Sequence, residues 1–175
     1  MIRILFLIAF VPSVLWSQDD SEYNEWEHLG FLIGSWQGEV TGTAGRGKGV
    51  REFRLILNGK FIHIKNKVVF EPNEGDSTPE VREDWGIMSA DEARETLVLR
   101  QFSTEGYVNQ YVVDSVSDSN LTIFFVAEST ENAPEGTKAR LTITIHNPDE
   151  FTEILERTFA GKDLTERLES HWVRK

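Results

Sequence analysis

Leu29-Gly30-Phe31-Leu32-Ile33-Gly34-Ser35-Trp36-Gln37-Gly38-Glu39-Val40 is the stretch from which the rest of the chain is read. An apolar run closes a short N-terminal segment, Gly34 turns the chain, and Trp36 enters a first strand. About ten alternating segments follow, with no second long helix. One Trp at the head of such a series can plug an end of a closed sheet. The expected fold is therefore all-β: a single antiparallel, up-and-down closed barrel of about ten strands, with a short N-terminal helix at one end.

The totals agree with one such domain. The chain has 175 residues, eleven Phe, five Trp, no Cys and a formal charge of −11. That length can bury a sizeable core. Without Cys there is no disulfide framework, thiolate metal site or Cys nucleophile. The acidic balance argues against nucleic acid and anionic membrane surfaces as partners, since both call for a basic patch.

Residues 1–17 read as a signal peptide. Arg3 is a minimal basic region, Ile4 to Val11 an apolar one, Pro12 a helix breaker and Ser17 a small residue at the cleavage point. The apolar run is too short to span a bilayer as a helix. Residues 18–175 then form the barrel domain of an exported protein, periplasmic or secreted, with no membrane insertion after cleavage. Ser21 to Leu29 suits a short helix, with Ser21 as N-cap and Tyr23, Trp26 and Leu29 at helical spacing.

Gly42-Thr43-Ala44-Gly45-Arg46-Gly47-Lys48-Gly49 nearly matches a phosphate-binding loop. Gly49 stands where Ser or Thr should follow the Lys, and a strand-like stretch follows where the motif needs a helix. The segment reads as a flexible hairpin loop.

Asn58-Gly59 is a two-residue turn signal between alternating segments, and it sets a register. Leu55 faces Ile62, Phe53 faces Ile64 and Arg51 faces Asn66; Arg54 meets His63 and Glu52 meets Lys65 on the other side. The apolar face must point inward, which carries Arg51 and Asn66 into the lumen and His63 to solvent. A second register comes from a turn at Gly161-Lys162, pairing Leu155 with Leu168, Arg157 with Glu166 and Phe151 with Trp172. It leaves His171 outside beside Thr152.

Two segments leave their inner face open. Val81, Glu83, Trp85 and Ile87 share one face, and Arg82, Asp84 and Met88 the other; the first is taken as inward, which places the Glu83 carboxylate in the lumen. A two-residue loop at Glu105-Gly106 would set Phe102 against Asn109 and Arg100 against Tyr111. Leu99, Gln101, Gln110 and Val112 form the alternative face. The expected ligand-binding set is Arg51, Asn66, Glu83, Trp85, Arg100, Phe102, Asn109 and Tyr111.

Gly34-Ser35-Trp36 together with Arg174 near the end of the last strand resembles the calycin superfamily signature, in which a Trp packs against a late Arg across the barrel base. Phe31–Glu39, Leu57–Ile62 and Leu99–Tyr111 resemble an uncharacterised bacterial family grouped with nitrobindin-like heme-binding β-barrels. The resemblance implies a lipocalin-like fold, structural roles for Trp36 and Arg174, and heme, for which His171 is the matching ligand. The residues themselves favour a binding module, not an enzyme, holding a small, partly lipophilic molecule with a polar or anionic end. Arg51 or Arg100 would orient that end. Heme binding through His171 and a barrel enzyme using Glu83 as general base are the alternatives. Neither the ligand nor the oligomeric state follows from the sequence.

Overall fold

The computed structural model describes residues 29–72, 77–117, 119, 121–160 and 165–175. The expected signal peptide and nearly all of the expected N-terminal helix lie outside the described residues; what precedes the first strand is a 3-10 turn over Gly30–Leu32. Ten strands follow: β1 (Gly34–Gly42), β2 (Gly45–Ile56), β3 (Phe61–Phe70), β4 (Val81–Asp91), β5 (Thr96–Ser103), β6 (Val108–Val116), β7 (Thr122–Glu131), β8 (Lys138–Asn147), β9 (Glu150–Thr158) and β10 (Thr165–Arg174). Each pairs antiparallel with the next, and β10 returns to β1, so the sheet closes into a barrel.

Both turn-derived registers hold. Across β2 and β3, Phe53 opposes Ile64 and Arg51 opposes Asn66. Across β9 and β10, Phe151 opposes Trp172 and Arg157 opposes Glu166. Asn58 and Gly59 both take positive φ, at 57° and 81°, as a primed turn requires. Leu55 lies opposite Ile62 as expected, yet Leu55 is exposed while Ile62 is fully buried in the core.

The β5–β6 pairing differs from expectation by one residue. Ser103 and Tyr107 close a three-residue loop, Thr104-Glu105-Gly106, in which Gly106 sits at φ 88°. That extra residue sets Gln101 against Asn109 and Leu99 against Tyr111, and a one-residue slip exchanges the faces of one strand relative to its partner. The inner face therefore combines Asn109 and Tyr111 with Leu99 and Gln101, while Arg100 and Phe102 turn outward.

The glycine-rich segment is strand, not a flexible loop. Only Thr43 and Ala44 turn the chain, and Gly45 to Gly49 belong to β2. Gly38 and Gly49 face each other, and a Cβ on either would fall within 2.7 Å of the Trp172 ring. These glycines are a floor that admits an indole against bare backbone.

One end of the barrel is packed shut. Trp36, Phe53, Phe151 and Trp172 are buried together, with the Trp36 and Phe151 rings 4.8 Å apart edge to face. The Trp36 indole N–H donates to the Leu32 carbonyl at 2.7 Å, tying the 3-10 turn beneath the barrel. The Arg174 guanidinium lies 4.4 Å from the Trp36 ring and donates to the carbonyls of Phe31 and Ile33. Ile62, Met88, Leu99, Phe125, Leu141 and Ile143 belong to the same core.

Candidate functional site

Above Trp172 the lumen turns polar. The Arg51 guanidinium lies 4.4 Å from the Trp172 ring and grips Glu153 with two hydrogen bonds, 2.5 Å from Nη1 and 2.7 Å from Nη2. Its Nε donates to Asn66 Oδ1 at 3.2 Å. Asn66 Nδ2 in turn donates to Asp84 Oδ2 at 2.7 Å, and Gln101 Nε2 donates to Asp84 Oδ1 at 3.0 Å. A hydrogen-bonded chain thus crosses β9, β2, β3, β4 and β5, with each charge either paired or held by donors, as burial demands. Burial raises the Asp84 carboxyl above the usual carboxylate range, against the pull of nearby Arg51.

Over this floor lies a cavity with about 70 Å³ open to water-sized molecules. Val68, Phe70, Leu155 and Leu168 form apolar walls, and Arg82, Glu105, Arg157 and Glu166 surround its outer end. Tyr111 and Asn109 are buried on the inner face of β6, and Thr130 pairs with Asn109 from β7. Tyr111 Oη, Asn109 Oδ1, Thr130 Oγ1, Arg157 Nε and Trp172 Nε1 are buried without a hydrogen-bond partner among the described residues. Such a group of inward polar atoms is unusual in a packed core and calls for an account.

Of the residues expected to bind ligand, Arg51, Asn66, Asn109 and Tyr111 lie in the lumen, and the first two are hydrogen-bonded to each other. Four others belong to the outer face. Trp85 is 53% exposed and packs edge to face against His63, and its partner Phe102 is 48% exposed. Arg100 is exposed, with Nη1 donating to Ser89 Oγ at 3.3 Å. Glu83 borders the cavity, but its carboxylate turns out to Lys67 at 2.8 Å, and that hydrogen bond lowers its pKa. These corrections share one cause. Ile62 opposes Met88 and Ile64 opposes Gly86, so β3 hands its inward register to the even-numbered residues of β4. Asp84 and Arg82 enter the lumen, and Glu83 and Trp85 leave it.

Glu153 was legible but unread: it shares parity with Phe151, Leu155 and Arg157 in a hairpin whose register is correct. Gln101, Asp84 and Arg82 carried no comparable signal, since each lies on a face that alternation leaves undecided.

The closed ring of ten antiparallel strands, each joined to the next, with a Trp on β1 stacked under an Arg on β10, decides the architecture. The fold is a closed up-and-down barrel of ten antiparallel strands. Among solved structures, this barrel is similar to Rv2717c from M. tuberculosis, at 18% identity and a TM-score of 0.65, covering 86% of this chain and 96% of that one. It is also similar to the S-type phycobiliprotein lyase CPES from Guillardia theta, at 13% identity and a TM-score of 0.52, covering 83% and 89%. At such identities the likeness concerns the fold alone. No family model matches the sequence, and no curated protein is similar to it in sequence.

The lumen of this barrel does not suit heme. His171 lies on the outer face, where its Nε2 meets Glu150 at 2.7 Å; His146 bonds Thr152 outside as well, and His63 packs on Trp85. Met88 is enclosed in the apolar core, and the cavity is far smaller than a macrocycle. His28 lies outside the described residues.

Proposed function

We propose that the barrel binds a small molecule in the lumen above Trp172, one with a compact apolar part and a polar or anionic end. The supporting observation is the cavity itself: apolar walls of Val68, Phe70, Leu155 and Leu168 between a hydrogen-bonding floor and a charged rim. A barrel of this class leaves an interior that its own side chains fill or that accepts one small ligand. Here the filling stops at Trp172. Burial of the apolar part would contribute ~25 cal/mol per Å², and the unpartnered polar atoms would orient the rest. In this reading the protein binds and does not catalyse. Glu83, the candidate base, is outside; the inward Asp84 is held by two amide donors, and the Ser103 hydroxyl on the paired strand donates to the Tyr107 carbonyl and not to Asp84. The reading also includes export after cleavage at Ser17.

The test is native mass spectrometry of protein purified from its own host, with an absorbance scan, alongside a Leu155→Trp variant whose indole would occupy the cavity. A bound small mass on the natural protein, absent from the variant while the barrel remains folded, is the expected result. An identical mass on both, or none on either, removes the lumen as a binding site.

A further inference from the structure

The outer end of the cavity is ringed by alternating charges. Glu166 bridges the two arginines, 3.0 Å from Arg82 Nη1 and 2.8 Å from Arg157 Nη1. Glu105 bridges the same two nitrogens from the other side, more loosely, at 3.3 and 3.8 Å. The members are not equivalent. Arg82, Arg157 and Glu166 stand on β4, β9 and β10, whereas Glu105 sits in the β5–β6 loop beside Gly106. Its longer contacts and its place in a loop make Glu105 the carboxylate released with the smaller loss.

We propose that the two arginines form a seat for the carboxylate of a small monoanionic ligand, and that Glu105 is the group such a ligand displaces. The inference rests on the lumen being a binding site and names the chemistry of its ligand. Glu80 holds Arg82 Nε at 2.6 Å, so with Glu105 withdrawn the two guanidiniums keep two carboxylates, Glu80 and the shared Glu166, and the seat attracts through its freed Nη1 donors, not through net charge. Arg157 is 3% exposed, yet its Nε has no hydrogen-bond partner among the described residues. A buried guanidinium holding an unused donor beside a cavity is suited to accept a second carboxylate. Ring contacts fix the geometry: Arg157 lies 4.5 Å from the Tyr107 ring and Arg82 lies 5.2 Å from the Phe70 ring. Beneath the seat, Val68, Leu155 and Leu168 offer a short alkyl chain its contact surface. A carboxylate head between the arginines and a short tail against Val68, Leu155 and Leu168 satisfies both chemistries at once.

Calorimetric titration with hexanoate and with hexan-1-ol, at low ionic strength, tests this. Glu105→Gln should bind hexanoate about tenfold tighter than the natural protein, a difference of about 1.4 kcal/mol, and hexan-1-ol should bind both equally. Adding Arg82→Gln should abolish that gain, and Arg82→Lys should keep part of it. Circular dichroism and tryptophan emission check that each variant retains the barrel. Hexanoate binding no tighter to Glu105→Gln than to the natural protein, or no better than hexan-1-ol, overturns the proposal. If the alcohol still binds in that case, only the carboxylate seat fails. If neither compound binds any variant, the seat fails, and the lumen reading then stands or falls on its own mass-spectrometric test.

Discussion

Asp84 shows what a single inward carboxylate costs and how the barrel holds it. Two amides donate to it, from Asn66 and Gln101, but no arginine among the described residues reaches it directly. Burial is the largest influence on its pKa and raises it; Arg51 and the two amides pull it down, and Glu153 adds to the rise. An acid whose folded pKa exceeds its unfolded value binds its proton more tightly in the folded state, so its ionisation removes stability as pH rises through the folded value. Asp84→Asn removes the titration and keeps one acceptor oxygen, at the constant cost of setting its NH2 against the other amide donor. Urea melts across a pH series should show the variant gaining on the natural protein as pH climbs above about 4, the unfolded carboxyl range. Glu83, Asp91 and Glu150, whose pKa values are lowered by their hydrogen-bond partners, titrate in both proteins and cancel in the difference. A constant difference would mean that Asp84 ionises without penalty. The face on which Asp84 stands was not legible, because Val81, Trp85 and Ile87 make the opposite face the more apolar. Outer aromatics pair across strands, Trp85 with Phe102, and mimic a core stripe.

At the scale of elements, β1, β2 and β10 form one packing unit. Gly38 on β1 and Gly49 on β2 are cross-strand partners, and the Trp172 ring from β10 rests over both. A Cβ at Gly38 would meet the His171 carbonyl oxygen at 2.5 Å and the Trp172 ring at 2.7 Å, and a backbone oxygen in a ladder cannot withdraw. Gly38→Ala should therefore destabilise the barrel by about 1–3 kcal/mol, the range for overpacking. Gly30→Ala, whose Cβ would meet nothing within 4 Å, serves as the control. Thermal melts of the two variants decide it, and equal midpoints would count against the glycine floor. The β5–β6 hairpin makes a related point about legibility. Asn58-Gly59 announced its own turn type, but Glu105-Gly106 suits both a two- and a three-residue loop, and the difference exchanges Arg100 for Gln101 in the lumen.

For the whole molecule, closure is the feature that matters, since a ring of strands has no edge to expose. The seam between β1 and β10 ends where Trp36 opposes Arg174. Arg174 joins this end of the barrel to two other segments, donating to Phe31 and Ile33 below and to Pro148 and Asp149 beside it. A lysine has neither the planar fork nor the reach to serve these acceptors together. Arg174→Lys should cost about 0.5–1.5 kcal/mol, the net worth of a hydrogen bond to acceptors that water can also reach, read from urea unfolding followed by tryptophan emission. An unchanged midpoint would show that the plug holds without it.

The sequence by itself determined the closed all-β barrel, its plugged end at Trp36 and the register of two hairpins, because alternation and a two-residue turn are local properties that fix pairing between neighbours. It placed Arg51, Asn66, Arg157 and Glu166 on the inner face for the same reason. Only the tertiary structure decided the inner faces of β4 and β5. Strand β4 follows a ten-residue polar loop that transmits no register, and its inward residues are largely polar or glycine, so hydrophobic pattern points the wrong way. The lumen's chemistry arises there, from contacts between strands far apart in the chain, such as Arg82 with Glu166 and Arg51 with Glu153. Pairing rules between adjacent segments carry no information about them.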